Sequence, residues 1–516
     1  MNKEIILNEE QKEALKQIKV FLESKDLRIF ILKGYAGTGK TTLLNELKNK
    51  FNDKYNFNFS ATTGAASKIL KNKINSEVKT VHSNNYTYDK MTKTEKDEYI
   101  FEFKQNKKSD ISKMTVYVID EASMLGNNNI NKESRVIFGT NKLLQDLINN
   151  NIKNKIIFVG DPLQLPPVGS DISVALNKNE LEKTFNITCK EFVLTKIMRQ
   201  EKENTIQNES IKLRKAFDNK EKYDLEKDNK NILEINYDDI PEFYFRNKNN
   251  TGIITYSNRS ALILSNKIRE RLFNNIEEKI NVGEKLLVIF NNQKLQIMNG
   301  NFIKIVEVIN RFSKEIKLNI EKNEEKIIKL EFAEVKIEKE NKEIIKTNIL
   351  LNFLNDFLYP RDEKFISDAL SKDAIDRGIE PYNSELYNAL RVRYGYVITC
   401  HKSQGNEFDN VILENKQIEK DSDYKWLYTG ITRAKKYVYL FKEFQNGCNK
   451  MLIDTEERNE SIIKNECKKN ANTDIREVFN IKRKKYIDYP IIEILNTEKR
   501  NKRKKYIDYP IIDVVK

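Results

Sequence analysis

The sequence RIFILKGYAGTGKTTLL (residues 28–44) joins a short apolar run to a glycine-rich loop and then to a segment with helical character. The loop at residues 34–41 fits the pattern G-x-x-x-x-G-K-[ST], which requires a strand before it and a helix after it. Glycines let backbone N–H groups curl around phosphate oxygens, and the helix N-terminus adds positive potential. The sequence therefore predicts a site for a nucleoside triphosphate. Its predicted nucleotide-binding residues are Gly34, Gly37, Thr38, Gly39, Lys40, Thr41 and Thr42.

Two side chains of this loop have predicted roles of their own. The Lys40 ammonium is expected to hold the β- and γ-phosphates, and the Thr41 hydroxyl is expected to bind Mg²⁺. Kinases, GTPases, transporters and helicases share such a loop, so it does not identify the reaction.

A pair of carboxylates follows a second apolar run, at residues 116–119. An acid at the carboxyl end of a buried strand faces the phosphate loop, where Asp120 is expected to hold Mg²⁺ through water. Its neighbour Glu121 is placed to polarise the attacking water. The pair therefore indicates a nucleotide hydrolase.

Strand-like runs alternate with helical patterns along most of the chain. In the first half, the runs lie at residues 28–32, 57–61, 116–119 and 156–159. A second alternation begins near residue 252, is interrupted, and resumes at residues 394–399. This order predicts two α/β domains, each with a parallel sheet covered by helices on both faces, and a β-rich insert within the second.

The loop after the run at residues 156–159 has the sequence GDPLQLPPV, residues 160–168. In a doubly wound sheet such a loop lies beside the nucleotide, so Gln164 is expected to sense the γ-phosphate. GDPLQLPPV resembles motif III of the superfamily 1 helicases, and DEAS, residues 120–123, resembles their motif II.

Further segments that resemble helicase motifs follow in the order of that family. They are NEEQ (8–11), ATTGAA (61–66), TVHS (80–83), LTKIMRQ (194–200), TCHKSQGNEF (399–408) and YTGITRA (428–434). The resemblance covers residues 7–440, which is most of the chain. Within superfamily 1 the pattern is most similar to the RecD-like group and, in that group, to helicases of the bacteriophage Dda type.

The resemblance implies an α/β fold with two RecA-like P-loop domains and two small inserted β-rich domains, a hairpin domain and an SH3-like domain. The implied boundaries are 1–82 and 115–245 for the first RecA-like domain, 83–114 for the hairpin domain, 246–282 and 392–445 for the second RecA-like domain, 283–391 for the SH3-like domain, and 446–516 for a basic tail.

The resemblance also implies residue roles that spacing alone does not show. Gln11 would contact the adenine base, and Glu407 would contact the nucleotide sugar. Arg199 and Arg433 would be arginine fingers. The implied catalytic set is Lys40, Asp120, Glu121, Gln164, Arg199 and Arg433, with Thr41 and Asp120 at the metal.

Six residues of these motifs are candidates for contacts to the backbone of single-stranded DNA. They are Thr62, Thr63, Thr80, His82, His401 and Lys402. The chain has only two histidines, and both are in this set. A hydrogen-bonded structural histidine is the alternative for each of them.

Residues 83–114 lie where the family places a hairpin that splits the DNA strands. Tyr99, Phe101 and Phe103 alternate as in a strand. An aromatic ring at the tip would wedge a base pair, whereas ordinary hairpin packing is the alternative for each ring.

The composition agrees with a nucleic-acid partner but does not require one. The net charge of +14 suits a polyanion, although a chain rich in Lys, Asn and Ile from an AT-rich genome would carry the same charge. The four cysteines form no CxxC pair and are expected to be reduced thiols. No apolar stretch is long enough for a bilayer and residues 1–4 do not resemble a signal peptide, so we expect a cytoplasmic protein, in the host cytoplasm if it is viral.

The tail contains an eleven-residue repeat. KRKKYIDYPII at residues 482–492 recurs at residues 502–512. Two copies could dock twice on a protein partner and gain avidity, or their basic runs could hold DNA by charge. A recent duplication of a solvated tail is the third interpretation.

Taken together, these features predict an ATP-dependent DNA helicase that acts as a monomer, with ATP and Mg²⁺, on single-stranded and forked duplex DNA. The resemblance alone implies movement in the 5′-to-3′ direction. One alternative is an ATPase, stimulated by single-stranded DNA, that remodels protein–DNA complexes without unwinding. The other is a 3′-to-5′ helicase of the UvrD type.

Overall fold

The computed structural model describes residues 7–93, 99–106, 113–127, 136–198, 205–273, 277–292, 294–320, 324–354 and 360–442.

Strands occur throughout these ranges. In chain order they are β1 (Ile29–Gly34), β2 (Asn56–Ala61), β3 (Val78–Thr80), β4 (Tyr86–Lys93), β5 (Tyr99–Gln105), β6 (Thr115–Asp120), β7 (Val136–Phe138), β8 (Lys155–Gly160), β9 (Cys189–Leu194), β10 (Ile232–Glu234), β11 (Thr251–Thr255), β12 (Lys285–Val288), β13 (Phe302–Ile320), β14 (Glu324–Lys339), β15 (Ile344–Leu350), β16 (Leu390–Tyr394), β17 (Val397–Thr399), β18 (Phe408–Glu414) and β19 (Ala434–Phe441).

Helices connect many of these strands. In chain order they are α1 (Glu9–Glu23), α2 (Lys40–Phe51), α3 (Gly64–Ile74), α4 (Val81–Asn85), α5 (Leu143–Asn150), α6 (Lys178–Phe185), α7 (Thr205–Asn219), α8 (Ile240–Asn247), α9 (Asn258–Leu272), α10 (Pro360–Asp376), α11 (Cys400–Ser403) and α12 (Asp421–Ile431).

The first α/β domain is built on a six-stranded parallel sheet with the order β3-β2-β6-β8-β1-β9. In β1, Phe30 and Leu32 are buried in one core, and Ile29 and Ile31 are buried in another. Successive side chains of a strand point to opposite faces, so a continuous apolar run requires a covering layer on each face. The carboxyl ends of β6, β8 and β1 are neighbours at one edge, and the predicted nucleotide-site residues follow these three strands.

The second α/β domain has a parallel sheet with the order β10-β19-β18-β11-β17. Val411, Ile412 and Leu413 of its central strand β18 are completely buried. The prediction of two α/β domains, each built on a parallel sheet, is confirmed.

The chain enters the second α/β domain earlier than the predicted boundary at residue 245. Ile232 in β10 pairs with Val438 in β19, and Ile206 and Leu213 of α7 are buried in the core of the second domain. The predicted boundary is therefore wrong. Because β10 is short and its partner lies near the other end of the described chain, no local sequence pattern marks this crossing.

The predicted hairpin is present, as β4 paired with β5, but it is part of a larger sheet. β7 adds a third strand parallel to β5, so the predicted range 83–114 is too short. Phe101 and Phe103 are each 4% exposed and belong to the core of this sheet. Residues 94–98, between the strands, and the side chain of Tyr99 lie outside the described residues.

Strands β12 to β16 close into a five-stranded barrel within the second domain. β13 and β14 form a long antiparallel ribbon, and α10 packs against it. β16 crosses the predicted boundary at residue 391, because its hydrogen bonds to β12 and β15 keep it in the barrel until residue 394. The SH3-like character of the barrel stays a prediction.

The hairpin sheet and the segment between α10 and β16 contact each other through stacked rings. The ring centroids of Tyr88 and Tyr382 are 4.7 Å apart, and those of Phe101 and Tyr387 are 5.2 Å apart. The Tyr88 hydroxyl also donates to Glu380 Oε1 at 2.8 Å. The hairpin sheet and the segment before β16 are therefore in direct contact.

The predicted basic tail, residues 446–516, lies outside the described residues. Within the described ranges, no helix combines the length and the apolar composition that crossing a bilayer requires.

Candidate nucleotide and nucleic-acid site

The phosphate loop runs from the end of β1 to the start of α2, as predicted from its pattern. Gly37 and Gly39 have φ of +79° and +80°, a region that L side chains rarely adopt. A Cβ on Gly39 would lie 2.4 Å from Gln11 Nε2, so a side chain at this position would also displace the Gln11 amide.

Gln11 hydrogen-bonds to the backbone of the phosphate loop. Its Nε2 donates to Thr38 O at 3.1 Å, and its side-chain oxygen accepts from the Asn8 backbone N–H at 3.1 Å. The second contact completes a capping box at the start of α1. The predicted contact from Gln11 to adenine stays a prediction, since only 2% of this residue is exposed.

The Lys40 ammonium lies inside the curl of the loop. It donates to Gly34 O at 2.6 Å and to Tyr35 O at 3.1 Å. A phosphate group in the loop would compete with these two carbonyl oxygens for the ammonium. Next to Lys40 on α2, Thr41 is half-buried and Thr42 is exposed.

The carboxylate pair follows β6, directly beside β8 in the sheet. Glu121 has a φ of +52°, and its N–H donates to Asp120 Oδ1 at 3.0 Å. Burial, followed by the charge of Glu121, raises the pKa of the Asp120 carboxyl to about 6, while the Lys40 ammonium opposes this rise. The two acids therefore lie close enough to perturb each other and to respond to Lys40.

The donor set at this edge fits Mg²⁺. A hydroxyl and a carboxylate, Thr41 and Asp120, are oxygen ligands of the kind that Mg²⁺ uses together with water and phosphate oxygens. A divalent cation would also lower the pKa of Asp120 toward its ordinary value, because a nearby positive charge favours the ionised carboxylate.

Gln164 joins the two α/β domains at the carboxylate pair. With its amide oriented to satisfy both neighbours, its nitrogen donates to Glu121 Oε2 at 3.2 Å and its oxygen accepts from Arg433 Nη2 at 3.1 Å. Arg433 is 5% exposed and also donates from Nε to Thr429 O at 3.1 Å. Three predicted catalytic residues, two from the first domain and one from the second, thus form one hydrogen-bonded chain.

The loop that carries Gln164 is held by two segments of the second domain. Leu165 N donates to Thr429 Oγ1 at 3.1 Å, and Gln404 Nε2 donates to Leu165 O at 3.1 Å. Residues 160–168, 399–408 and 428–434, which the sequence linked only by resemblance, are therefore in direct contact.

Tyr428 is a site residue that the sequence analysis did not assign. Its hydroxyl donates to Asp161 Oδ2 at 2.8 Å and accepts from the Ala36 backbone N–H at 3.0 Å, so one side chain of α12 touches both the phosphate loop and the loop after β8. Burial and the charge of Asp161 raise the pKa of Tyr428 well above its usual range. Tyr428 lies in the quoted motif YTGITRA, but its partners are far away in sequence.

The structure does not test two residues predicted to contact the nucleotide. Arg199 lies outside the described residues, although the N–H of the preceding residue Met198 donates to Gly37 O at 2.9 Å. Glu407 is half-buried and forms an ion pair with Lys435 at 3.6 Å. Both assignments stay predictions.

Among the candidate DNA contacts of the first domain, the threonines have local structural partners. Thr63 and Thr80 accept hydrogen bonds from the first turns of α3 and α4, and Thr62 donates to Glu121 O at 3.1 Å. Thr62 thus links one end of α3 to the carboxylate pair. Thr80 is 7% exposed, which leaves little of it for a ligand.

The two histidines differ in their surroundings. His82 packs edge-on against Phe138, with ring centroids 5.4 Å apart. Burial lowers the pKa of His401 to about 4, so its imidazole is neutral near pH 7 and can contact DNA only as a hydrogen-bonding group. Next to it on α11, Lys402 is half-buried.

The DNA candidates of the two domains lie near each other. A Cβ on Gly405, just after α11, would lie 3.0 Å from Ala66 Cβ on α3. The segments that contain Thr62, Thr63, His401 and Lys402 therefore meet where the two domains touch.

In comparisons with known proteins, two family models match separate parts of the chain. A family described as an AAA domain matches residues 6–236, and a UvrD-like helicase C-terminal domain matches residues 394–441. The RecD subunit of the RecBCD enzyme from Buchnera aphidicola is 27% identical over 492 residues, which cover 84% of this chain and 73% of that protein. An uncharacterised protein of Methanocaldococcus jannaschii is 28% identical over 506 residues, which cover 89% of this chain and 40% of that protein.

Among solved structures, one of two coordinating Pif1 helicases at forked double-stranded DNA aligns with a TM-score of 0.46. It is 18% identical, and the alignment covers 89% of this chain and 98% of that one.

Proposed function

We propose that the chain is a superfamily 1 helicase of the RecD-like group, an ATP-driven motor that moves 5′-to-3′ along single-stranded DNA and unwinds duplexes. Its similarity to the AAA domain family, to the UvrD-like helicase C-terminal domain and to a RecD subunit supports this proposal. The observation that supports this proposal best is the bridge from Glu121 through Gln164 to Arg433. An ATPase whose catalytic carboxylate is joined to a second domain can convert hydrolysis into relative domain movement.

In this mechanism ATP lies at the edge where β1, β6 and β8 end, with its phosphates in the loop around Lys40. Glu121 orients the attacking water, and Arg433 stabilises the charge that develops on the γ-phosphoryl group. An arginine finger contributes about 10³–10⁵ in rate, and its origin in the second domain makes hydrolysis depend on domain closure. Bound Mg²⁺, held by Thr41 and Asp120, would neutralise charge on the β- and γ-phosphates.

The strand would be gripped at α3, α4 and α11. Thr62 donates to Glu121 O, and Gln404, next to α11, donates to Leu165 O, beside Gln164. Each DNA-side segment therefore contacts a catalytic residue or its neighbour in the chain. A change in the nucleotide could therefore alter the grip on DNA. Polar side chains of this kind contact the backbone without reading base sequence.

Strand displacement on two partial duplexes tests the proposal. One duplex has a 5′ single-stranded tail and the other a 3′ tail, and each is mixed with the protein, ATP and Mg²⁺. We expect displacement from the 5′-tailed duplex only. The Lys40→Ala variant should abolish it, whereas Lys50→Ala, which alters an exposed lysine of the same helix, should not.

Other outcomes would redirect the proposal. Displacement from the 3′ tail alone would keep the helicase and reverse its polarity, as in the UvrD type. ATP hydrolysis stimulated by single-stranded DNA, with neither duplex displaced, would support a remodelling ATPase instead.

A further inference from the structure

A completely buried carboxylate lies outside the nucleotide site. Asp146, on α5 of the first domain, is 0% exposed. Its Oδ2 accepts from the Tyr86 hydroxyl at 2.8 Å and from Thr140 N at 3.0 Å, and its Oδ1 accepts from Thr140 Oγ1 at 2.7 Å. A buried carboxylate is costly unless such donors satisfy it, so these contacts determine how the surrounding elements pack.

The donors to Asp146 come from the two ends of the hairpin sheet. Tyr86 is the first residue of β4, and Thr140 lies just after β7. Gly139 has a φ of +49°, and a Cβ there would lie 2.3 Å from Asp146 Oδ2. Asp146 therefore binds both the first strand of the hairpin sheet and the residue that follows its last strand. The absence of a side chain at Gly139 leaves room for the carboxyl group.

Tyr86, which donates to Asp146, also lies next to a candidate DNA-binding element. Phe138, the last residue of β7, contacts Tyr86, Phe103 and His82, with ring centroids 5.4, 4.8 and 5.4 Å apart. His82 lies on α4, which runs directly into β4. The root of the hairpin and the helix with this predicted DNA contact thus share one aromatic cluster.

We propose that Asp146 is a positioning residue for strand separation, acting through Tyr86 and Thr140 to keep the hairpin root fixed to the first domain while DNA is pulled against the hairpin. This inference rests on the proposed unwinding activity. Asp146 is not part of the nucleotide site, so its effect should be confined to the step in which the duplex opens.

The test uses Asp146→Asn, Tyr86→Phe and the double variant in the full chain. Three rates are measured: ATP turnover on single-stranded DNA, arrival at the end of a labelled single strand, and displacement from the 5′-tailed duplex. We expect the first two rates to stay at the wild-type level and displacement to slow about tenfold in Asp146→Asn, as when a buried hydrogen bond is lost and its partner is left unsatisfied. The double variant should be no slower than Asp146→Asn, because both changes remove one shared interaction.

The matched control is Tyr223→Phe, which also removes a hydrogen bond from tyrosine to a carboxylate, Glu209, but at α7 in the second domain. It should leave all three rates unchanged. Tyr86→Phe removes a single hydroxyl, so it keeps the test decisive if Asp146→Asn does not fold.

Three outcomes would overturn the inference. If wild-type protein displaces strands and the variants do so equally well, the positioning role is wrong and the proposed function stands. If all three rates fall together, Asp146 is needed for the fold as a whole and has no specific part in strand separation. If wild-type protein hydrolyses ATP but displaces no strand, the proposed function fails together with the inference.

Discussion

At the scale of single residues, the site depends on side chains that each connect two motifs. Gln164 joins Glu121 to Arg433, and Tyr428 joins Asp161 to the phosphate loop. Each connection crosses between the two α/β domains. The chemistry therefore depends on the distance between the domains as much as on the residues themselves.

Arg433→Ala should lower the DNA-stimulated kcat by about 10³-fold or more, because a cation that stabilises the transferred phosphoryl group is lost. Binding of a fluorescent ATP analogue should change far less. Arg433→Lys should not restore the rate, since an ammonium cannot replace the planar guanidinium that contacts both Gln164 and Thr429. Steady-state kinetics that leave kcat unchanged would contradict this role.

Tyr428→Phe should lower kcat/KM for ATP about tenfold, because losing the hydroxyl leaves buried partners at Asp161 and Ala36 unsatisfied at a cost of about 1–3 kcal/mol. Tyr424→Phe is the control on the same helix, since the Tyr424 hydroxyl donates to Glu221 O, away from the phosphate loop. Equal kcat/KM values for the two variants would remove Tyr428 from the site.

The raised pKa of Asp120 predicts that both stability and Mg²⁺ binding depend on pH. The folded protein raises the pKa of this carboxyl from 3.8 to about 6, which means that it favours the protonated form. The resulting contribution to the free energy of unfolding is complete below pH 3.8 and is lost as the pH rises through about 6. Binding of Mg²⁺ should have the opposite dependence, because the metal must displace that proton. We expect the apparent affinity for Mg²⁺ to fall about tenfold per pH unit below 6.

Titrations of ATPase activity with Mg²⁺ between pH 5 and pH 8 would measure this effect. Excess Mg²⁺ should restore activity at the acidic end. Activity profiles that superimpose at low and high Mg²⁺ would show that another group limits the acidic side.

At the scale of elements, a buried ion pair joins the barrel to helix α9 of the second domain. Arg269 on α9 donates from Nε to Glu284 Oε1 at 3.0 Å, and the Tyr396 hydroxyl donates to the same oxygen at 2.8 Å. Glu284 is completely buried, and burial raises its pKa against the opposing charge of Arg269. α9 and the start of β12 are thereby held together.

Glu284→Ala should lower the free energy of unfolding by about 3–5 kcal/mol, because it leaves the buried guanidinium of Arg269 without its anion. Glu278→Ala is the matched control. Its pair with Arg311 spans 3.1 Å but is exposed on both sides, so its loss should cost less than about 1 kcal/mol. Calorimetric unfolding of the two variants measures the difference, and equal stabilities would contradict the structural role of Glu284.

At the scale of the whole molecule, the repeated tail is a part of the chain to which the proposed motor assigns no role. We keep the interpretation of residues 482–492 and 502–512 as two docking segments for a protein partner. Two linked copies would raise the affinity for a partner with two matching sites.

Removing residues 482–516 should leave ATP hydrolysis and strand displacement near the wild-type level, because no residue proposed for the site lies there. Replacing only the second copy with a scrambled sequence is the sharper variant. Affinity for a captured partner should fall in both cases. A collapse of ATPase activity after the deletion would show that the tail is part of the folded motor.

Local sequence patterns were sufficient to predict the strand–loop–helix geometry of the phosphate loop and the fold class. The phosphate loop needs glycine at positive φ next to a lysine, and buried parallel strands need continuous apolar runs, so both leave a signal within a few residues. The strands at residues 28–32, 116–119 and 156–159 were predicted in this way, and the structure places them side by side.

Only the tertiary structure decided which distant segments meet. β10 pairs with β19 and β7 joins the hairpin sheet, and neither strand is long enough to show a pattern of its own. Tyr428 and Asp146 are ordinary residues in the sequence, and they acquire their roles from partners on other elements. The physical reason is that a hydrogen bond between buried groups depends on positions in space, which local propensity does not encode.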